Sequence, residues 1–519
     1  MRKIRRIFTL LALSAFMYPG AGGLEAQDFG FGFEDSGGEG EEAPSFPLAV
    51  KAGGKISAEL LGYVQDFKKR DDLNAASLGD IFSGNLNFSA AGANADAYVN
   101  LDLSVRSFRD LADYSSESGH LPRILDEAYL RAYFGPLSLE AGLRKLTWGR
   151  ADSLGPLDVV NPLDYSDLTN ITDMKAMKIA RPLVRLSWAF GALSRLEGVF
   201  VPGFAGHRFS GGGRWQPAQF RKLPGLAMDD MTSYAFGRYA SQLTAAGINS
   251  RQFRTLLETG YGAASDRLNT PDTRGLEYAQ AGLRYTVTVG SSDLGFQYFY
   301  GNLFTPSWNF EGLNGFVDRM MIALGQPGGS GPDAAADAIG GLDMPDPKMD
   351  YNRYHQLGLD YGRVLGGFNI RAEFAACITD DLGGDKGWVR NPFLAWSFGF
   401  DRDIVWGINA NFQCNETVRL LNDRVGGNPL LDCEAGTDIS ATRITLQLSR
   451  KFLRDDLECK VTNIWDIEDR GCYIIPALLR TIKDLSIEVS AGLFAGREEG
   501  ELGQYWRNSF VKLGIAYSF

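Results

Sequence analysis

Arginine and glutamate recur at alternate positions in several short segments of this chain, and that spacing could do chemistry of one particular kind. In "LDEAYLRAYFG", Glu127, Tyr129 and Arg131 lie on one face of an extended chain, with Ala128, Leu130, Ala132 and Phe134 on the other. Glu140, Arg144, Arg185, Arg195, Glu197, Arg284, Arg371 and Glu373 take equivalent places in later segments. Interleaved opposite charges along a water-filled passage set up a transverse field that orients polar solutes and excludes apolar ones. The same pairs would also serve as structural ladders in a filled interior.

Bond-making needs a nucleophile beside a base, and the chain offers little for it. Its three histidines, His120, His207 and His355, sit in no GxSxG, HExxH or comparable pattern, so it is read as not an enzyme. No CxxC or zinc spacing occurs, and neither metal nor cofactor is expected. Asp343, Asp346 and Asp350 read as a solvated acidic loop before they read as a calcium site. Cys414 and Cys433, two of five cysteines, bracket one loop and could bridge it or stay free. A net charge of −11 argues against nucleic acid as a partner.

The most distinctive stretch is "KLTWGRADSLGPLDVVNPLDYSDLTN", residues 145–170. Its Pro, Gly and Asp content ends any strand, while Asp and Asn accept backbone N–H groups and let a loop fold tightly. Trp148, Arg150, Asp152, Asp158, Asn161 and Asp164 are the candidates to anchor it, with Arg150 and Asp152 placed to form a charge-assisted pair. Such a loop either folds inward and constricts a passage or forms a rigid external cap.

The elements that must position these residues are strands. From Gly54 onward the chain runs through alternating segments, including "KISAELLGYVQDF", "LSLEAGLRKLTWG", "PLVRLSWAFG" and "FNIRAEFAACI". About eighteen strands are expected, with sixteen as the alternative count; one is drawn over 94–108, another over 137–148. Their links alternate in kind: tight turns such as "GP" and "GSS" against long connections at 149–181, 203–274, 305–350 and 416–438. A soluble sandwich has no reason to sort its connections this way. Two long connections hold apolar residues at helical spacing, within 218–263 and 309–325. The expected fold is therefore an all-β, antiparallel transmembrane barrel with helical segments in long extracellular loops and short periplasmic turns.

Both ends agree. Residues 1–26 open with four basic residues in six, then a short apolar run, as a signal peptide does. Residues 27–53 read as an acidic, Gly-rich flexible leader, with the barrel over 54–519. The chain closes on "FVKLGIAYSF", with Val511, Leu513, Ile515, Tyr517 and Phe519 on one face.

That ending resembles the terminal strand of Gram-negative-type outer-membrane β-barrels. The resemblance implies that Tyr517 and Phe519 belong to the signal read by the barrel-assembly machinery. Residues 148–164, with "VFVPGF" at 199–204 and "RW-P" at 214–217, are similar to an uncharacterised family of large outer-membrane barrels. Those barrels follow a strand-end WG with an NP-D element. The implied location is the outer membrane, with membrane lipid, the assembly machinery and a small solute as partners. The expected function is a porin-like channel for small solutes. The alternatives are a transporter of hydrophobic compounds beneath a helical lid, similar to the long-chain fatty-acid transporters, and a structural or adhesive surface barrel.

Overall fold

A computed structural model describes residues 49–65, 82–112, 122–261, 271–310, 312–324 and 348–519, all within the compact unit Pro47–Phe519. The expected signal segment lies outside the described residues. Barrel strands β1 to β9 are Ala49–Tyr63, Phe82–Ala91, Ala95–Asp102, Leu125–Phe134, Leu137–Arg144, Arg181–Ala189, Ser194–Val201, Gln280–Val289 and Ser292–Asn302. Two three-residue strands, β10 (Ser307–Asn309) and β11 (Lys348–Asp350), pair with each other outside the barrel. Strands β12 to β16 are Arg353–Leu365, Phe368–Thr379, Phe393–Asp403, Asn409–Arg419 and Ser440–Phe452. Strands β17 to β20 are Leu457–Asp466, Gly471–Ile482, Leu485–Ala495 and Phe510–Ser518.

Each barrel strand pairs antiparallel with its sequence neighbours, β9 pairs with β12, and β20 returns to β1, giving a closed 18-stranded sheet. Closure is what a membrane demands, because an open edge would leave backbone donors and acceptors without partners in hydrocarbon. The last pairing is sealed by mutual bonds between Gly54 and Phe519, at 2.9 and 3.0 Å.

The outward faces form an apolar belt. On β20, Val511, Leu513, Ile515 and Tyr517 are exposed, while Phe510, Lys512 and Ala516 on the inner face are buried. Leu130, Leu186, Leu283, Phe296, Leu357 and Phe374 continue the belt around the sheet. So much exposed large apolar surface suits lipid as solvent.

Three details differ from the reading of the sequence, and a fourth is one that it left open. β1 starts at Ala49, because Ala49–Gly53 pair with Asn87–Ala91 of β2, so the barrel takes in the end of the expected leader. The expected strand over 94–108 stops at Asp102 and gives way to α1 (Val105–Ala112), whose entry is capped by Ser104 Oγ accepting from Ser107 N at 3.1 Å. β5 ends at Arg144 rather than 148, since Leu146 N donates to the Asn161 side chain at 2.8 Å. All five cysteines are free: Cys433 is buried in the long connection after β15, while Cys414 stands on the outer face of β15.

Long connections gather at one end of the barrel. α2 (Met174–Met177) lies in the connection between β5 and β6. Helices α3 (Ala218–Ala245), α4 (Ser250–Tyr261) and α5 (Leu313–Leu324) bury their apolar sides against one another. Met231, Phe253, Phe316 and Met320 form the centre of that cluster, joined by Phe310 and Leu430.

Candidate functional site

The connection from β5 to β6, residues 145–180, turns into the barrel interior. Gly149, at φ +89°, starts the turn, a backbone conformation that a side chain would strain. The following backbone lands on Glu373 of β13. The N–H groups of Arg150, Ala151 (2.7 Å) and Leu157 (3.3 Å) all donate to that one carboxylate. The fit leaves no room: a Cβ on Gly149 or Gly155 would stand 2.3 or 2.4 Å from a Glu373 oxygen.

Neighbouring strands take up the rest of this arm. Arg150 Nε donates to Asp360 of β12 at 2.7 Å, and its Nη1 to Asp293 of β9 at 3.2 Å. Arg284 of β8 holds the other Asp360 oxygen at 2.6 Å. Asp152 pairs with Arg371 of β13 and accepts from Asn411 of β15 at 2.7 Å. Gln297, Gln356 and Asn415 donate to the carbonyls of Leu157, Pro156 and Leu154 at 3.0, 2.9 and 2.8 Å. Beneath these bonds Trp148, Leu157 and Val160 pack on Phe299, Tyr354 and Ala375, with the Trp148 and Phe299 rings edge-on at 6.3 Å.

The two legs of the loop are tied together by Asn161 and Lys178. Asn161 Nδ2 donates to the carbonyls of Arg144 and Ile179, both at 2.9 Å. Lys178 Nζ reaches Leu146 O at 2.8 Å and Asp158 at 2.6 Å. The second leg meets another stretch of wall. Tyr473 of β18 donates to Leu168 O at 3.1 Å, and Lys512 of β20 to Asn170 at 2.8 Å. Asp164 sits among Arg123 at 2.7 Å, Arg208 at 3.6 Å and Arg106 at 3.7 Å. Burial opposes the charge of Asp164, but these three guanidiniums outweigh it and hold the carboxyl below its ordinary range. Nearby, burial pushes His207 down to about 3, so its Nδ1 stays an acceptor for Leu163 N at 2.9 Å.

The residues singled out in the sequence thus divide. Trp148, Arg150, Asp152, Asp158, Asn161 and Asp164 all lie in the inward loop, but Arg150 and Asp152 bond to separate wall residues rather than to each other. Glu373 and Arg284 are buried beneath the loop, and Arg371 bridges Asp152 and Asp401. Glu127, Arg131, Glu140, Arg144, Arg185, Arg195 and Glu197 form a separate set on β4–β7, where every acid has an arginine partner. His207 lies buried beside the loop, His355 stands on the outer face between Tyr298 and Tyr300, and His120 lies outside the described residues. Asp350 accepts from its neighbour Tyr351 N at 2.7 Å; Asp343 and Asp346 lie outside the described residues. Among the described residues no group of acids, cysteines and histidines is placed to hold a metal.

Sequence reasoning missed Asp293, Gln297, Gln356, Asp360, Asn415 and Gln413, whose side chain accepts from Ser153 N at 3.0 Å. Their signal was available in the strand period. Gln356 and Asp360 share a face with Gly358 and Gly362, and Gln413 and Asn415 with Asn411, as alternate residues of one strand must.

No family model matches the chain, and no curated protein matches it. Solved structures do. The Acinetobacter baumannii OccAB3 structure is 10% identical with a TM-score of 0.43, over 91% of this chain and 99% of that one. Pseudomonas aeruginosa OccK9 (OpdG) is 10% identical with a TM-score of 0.42, over 91% and 98%. The outer membrane channel DcaP of Acinetobacter baumannii is 8% identical with a TM-score of 0.37, over 91% and 97%. Likeness at this level carries no functional argument.

Proposed function

We propose that this chain is an outer-membrane channel through which small polar solutes pass, with the inward loop 145–180 setting the limiting width. One observation carries the reading: a closed barrel with an apolar outside and a charged inside is crossed by a loop anchored to two separate stretches of its wall. A purely structural barrel has no need to hold a loop across its interior with Glu373, Asp360 and Lys512. Membership of the barrel family with the WG and NP-D elements, outer-membrane residence, and recognition of Tyr517 and Phe519 during assembly belong to the same reading. The channel is a conduit without chemistry of its own.

The hydrophobic-transporter alternative drew on the apolar residues of the long connections. Those side chains mostly face one another in the α3–α5 cluster, where Phe253, Phe316 and Met320 are fully buried, while Leu226 and Ile322 remain exposed. The test is planar-bilayer recording of the refolded protein. Discrete ionic conductance steps are expected; a protein that inserts as a heat-modifiable barrel and carries no current would overturn the channel reading.

A further inference from the structure

The ion pairs of β4–β7 are layered. In each, the carboxylate lies behind and the guanidinium in front. Glu127, Glu140 and Glu197 side chains are 2, 3 and 10% exposed, while those of Arg131, Arg144, Arg185 and Arg195 are 26, 21, 21 and 50% exposed. The register explains the row: Arg131 faces Glu140 across β4–β5, and Glu140 faces Arg185 across β5–β6. Arg131 Nη2 reaches Glu140 at 2.7 Å, and Arg144 binds Glu127 at 2.8 Å and Glu140 at 3.2 Å. Each acid therefore fixes one side of a guanidinium that keeps an exposed edge, with Arg131 Nη1 also donating to Tyr133 at 3.2 Å.

The neighbouring wall is polar. Ser57, Ser83, Asn85 and Asn87 of β1 and β2 are half-buried on the inner face, and Tyr98 lies beside Tyr129, ring centres 5.5 Å apart. Arg144 stacks 4.2 Å over the Tyr129 ring, which holds that guanidinium upright. Asp96 lies beside Arg131 at 3.8 Å at the tight-turn end of this region, and Asp126 is held by Lys145 at 2.5 Å and Asn100 at 2.9 Å.

We infer that the guanidinium row Arg131, Arg144, Arg185 and Arg195 is a docking strip for the oxyanion group of a hydroxylated solute, a carboxylate or a phosphate on a sugar-like body. Planar guanidiniums match both oxyanions, and amide, hydroxyl and phenol groups beside them match a hydroxylated body better than an alkyl one. The inference rests on the channel reading and deepens it.

The test is current interruption in planar bilayers with the full-length refolded protein. Gluconate is compared with glucose and glucosamine, and glucose 6-phosphate separates the phosphate source from the carboxylate. Gluconate or glucose 6-phosphate is expected to interrupt the current about tenfold more strongly than glucose, as one charge-assisted bond would give, and less so at high salt. Arg131→Gln is expected to remove about tenfold of that binding, and Arg131→Lys to restore part of it. Arg195→Gln leaves Glu197 its bond to Arg185, so the wall is preserved, and is expected to weaken binding about threefold. It carries the test if Arg131→Gln fails to insert. Equal interruption by anion and neutral sugar, or anion interruption untouched by these variants, overturns the strip and leaves the channel standing. Absence of conductance under every condition overturns the channel reading and the strip with it.

Discussion

Two stretches of the barrel wall carry the same residue types at the same alternate positions and use them differently. On β4–β7, arginine and glutamate bond chiefly to one another, with Lys145 N as a backbone donor to Glu127 at 3.0 Å, and the arginines keep a water-facing edge. On β8–β13, a foreign backbone descends on the wall. Glu373 is spent on three of its N–H groups, Asp360 is shared by Arg150 and Arg284, and Arg284 is only 7% exposed. A charge on an inner face therefore either keeps a water-facing edge or moors a loop. The local pattern is identical; what arrives from elsewhere in the chain decides.

The comparison breaks most visibly at Glu373. Glu373→Ala leaves three loop N–H groups without their acceptor, at about 1–3 kcal/mol for each that stays buried. The loop is expected to leave the wall, with a clear rise in single-channel conductance. Unchanged conductance in a correctly inserted variant would show that the loop is held by its apolar contacts instead.

Arg144→Met probes the other wall. It strips Glu127 and Glu140 of a shared partner, and an uncompensated buried carboxylate costs about 3–5 kcal/mol. Heat-modified migration in gels should shift to a lower temperature, whereas Arg195→Met, at a half-exposed guanidinium, should barely move it. Equal shifts for both would mean the carboxylates are wetter than their burial indicates.

Gly155→Ala sharpens the mooring with a smaller change. The added Cβ meets Glu373 Oε2 at 2.4 Å and the Ala151 Cβ at 2.6 Å, an overpacking worth about 1–3 kcal/mol. Conductance should become noisier as the loop samples detached positions; Gly212→Ala, where a Cβ meets open space, serves as the matched control.

The smallest expected effect is on chemistry alone. Single cysteines at Arg131 and Arg185 should react with a hydrophilic thiol reagent in intact membranes, while cysteines at Leu130, Leu186 and Phe374 should be protected. Equal labelling of the two sets would mean that the inner and outer faces are misassigned.

Much of this fold was legible because strand period and connection length are local properties. Leu130 and Arg131 alternate in the sequence and stand on opposite faces of β4, one 66% exposed outward and the other paired inside. The end of β3 was not legible in the same way: "VRSFRDLA" alternates loosely enough to continue a strand, and the Ser104 cap overrides it. The inward loop could be picked out from its Asp, Asn, Pro and Gly, since those residues act on their own neighbours. Its partner could not. Glu373 lies 223 positions from Arg150, and nothing in "RAEFAA" states that three backbone donors will converge there. The apolar spacing of 218–263 likewise announced helices without saying that they would cover one another.

The claim that the loop sets the width of the passage is tested most directly by replacing residues 149–158 with a short Gly-Ser link. Wild-type and shortened proteins are then recorded in the same bilayers. A larger unitary conductance for the shortened barrel is the expected result; identical conductance in the two would contradict it.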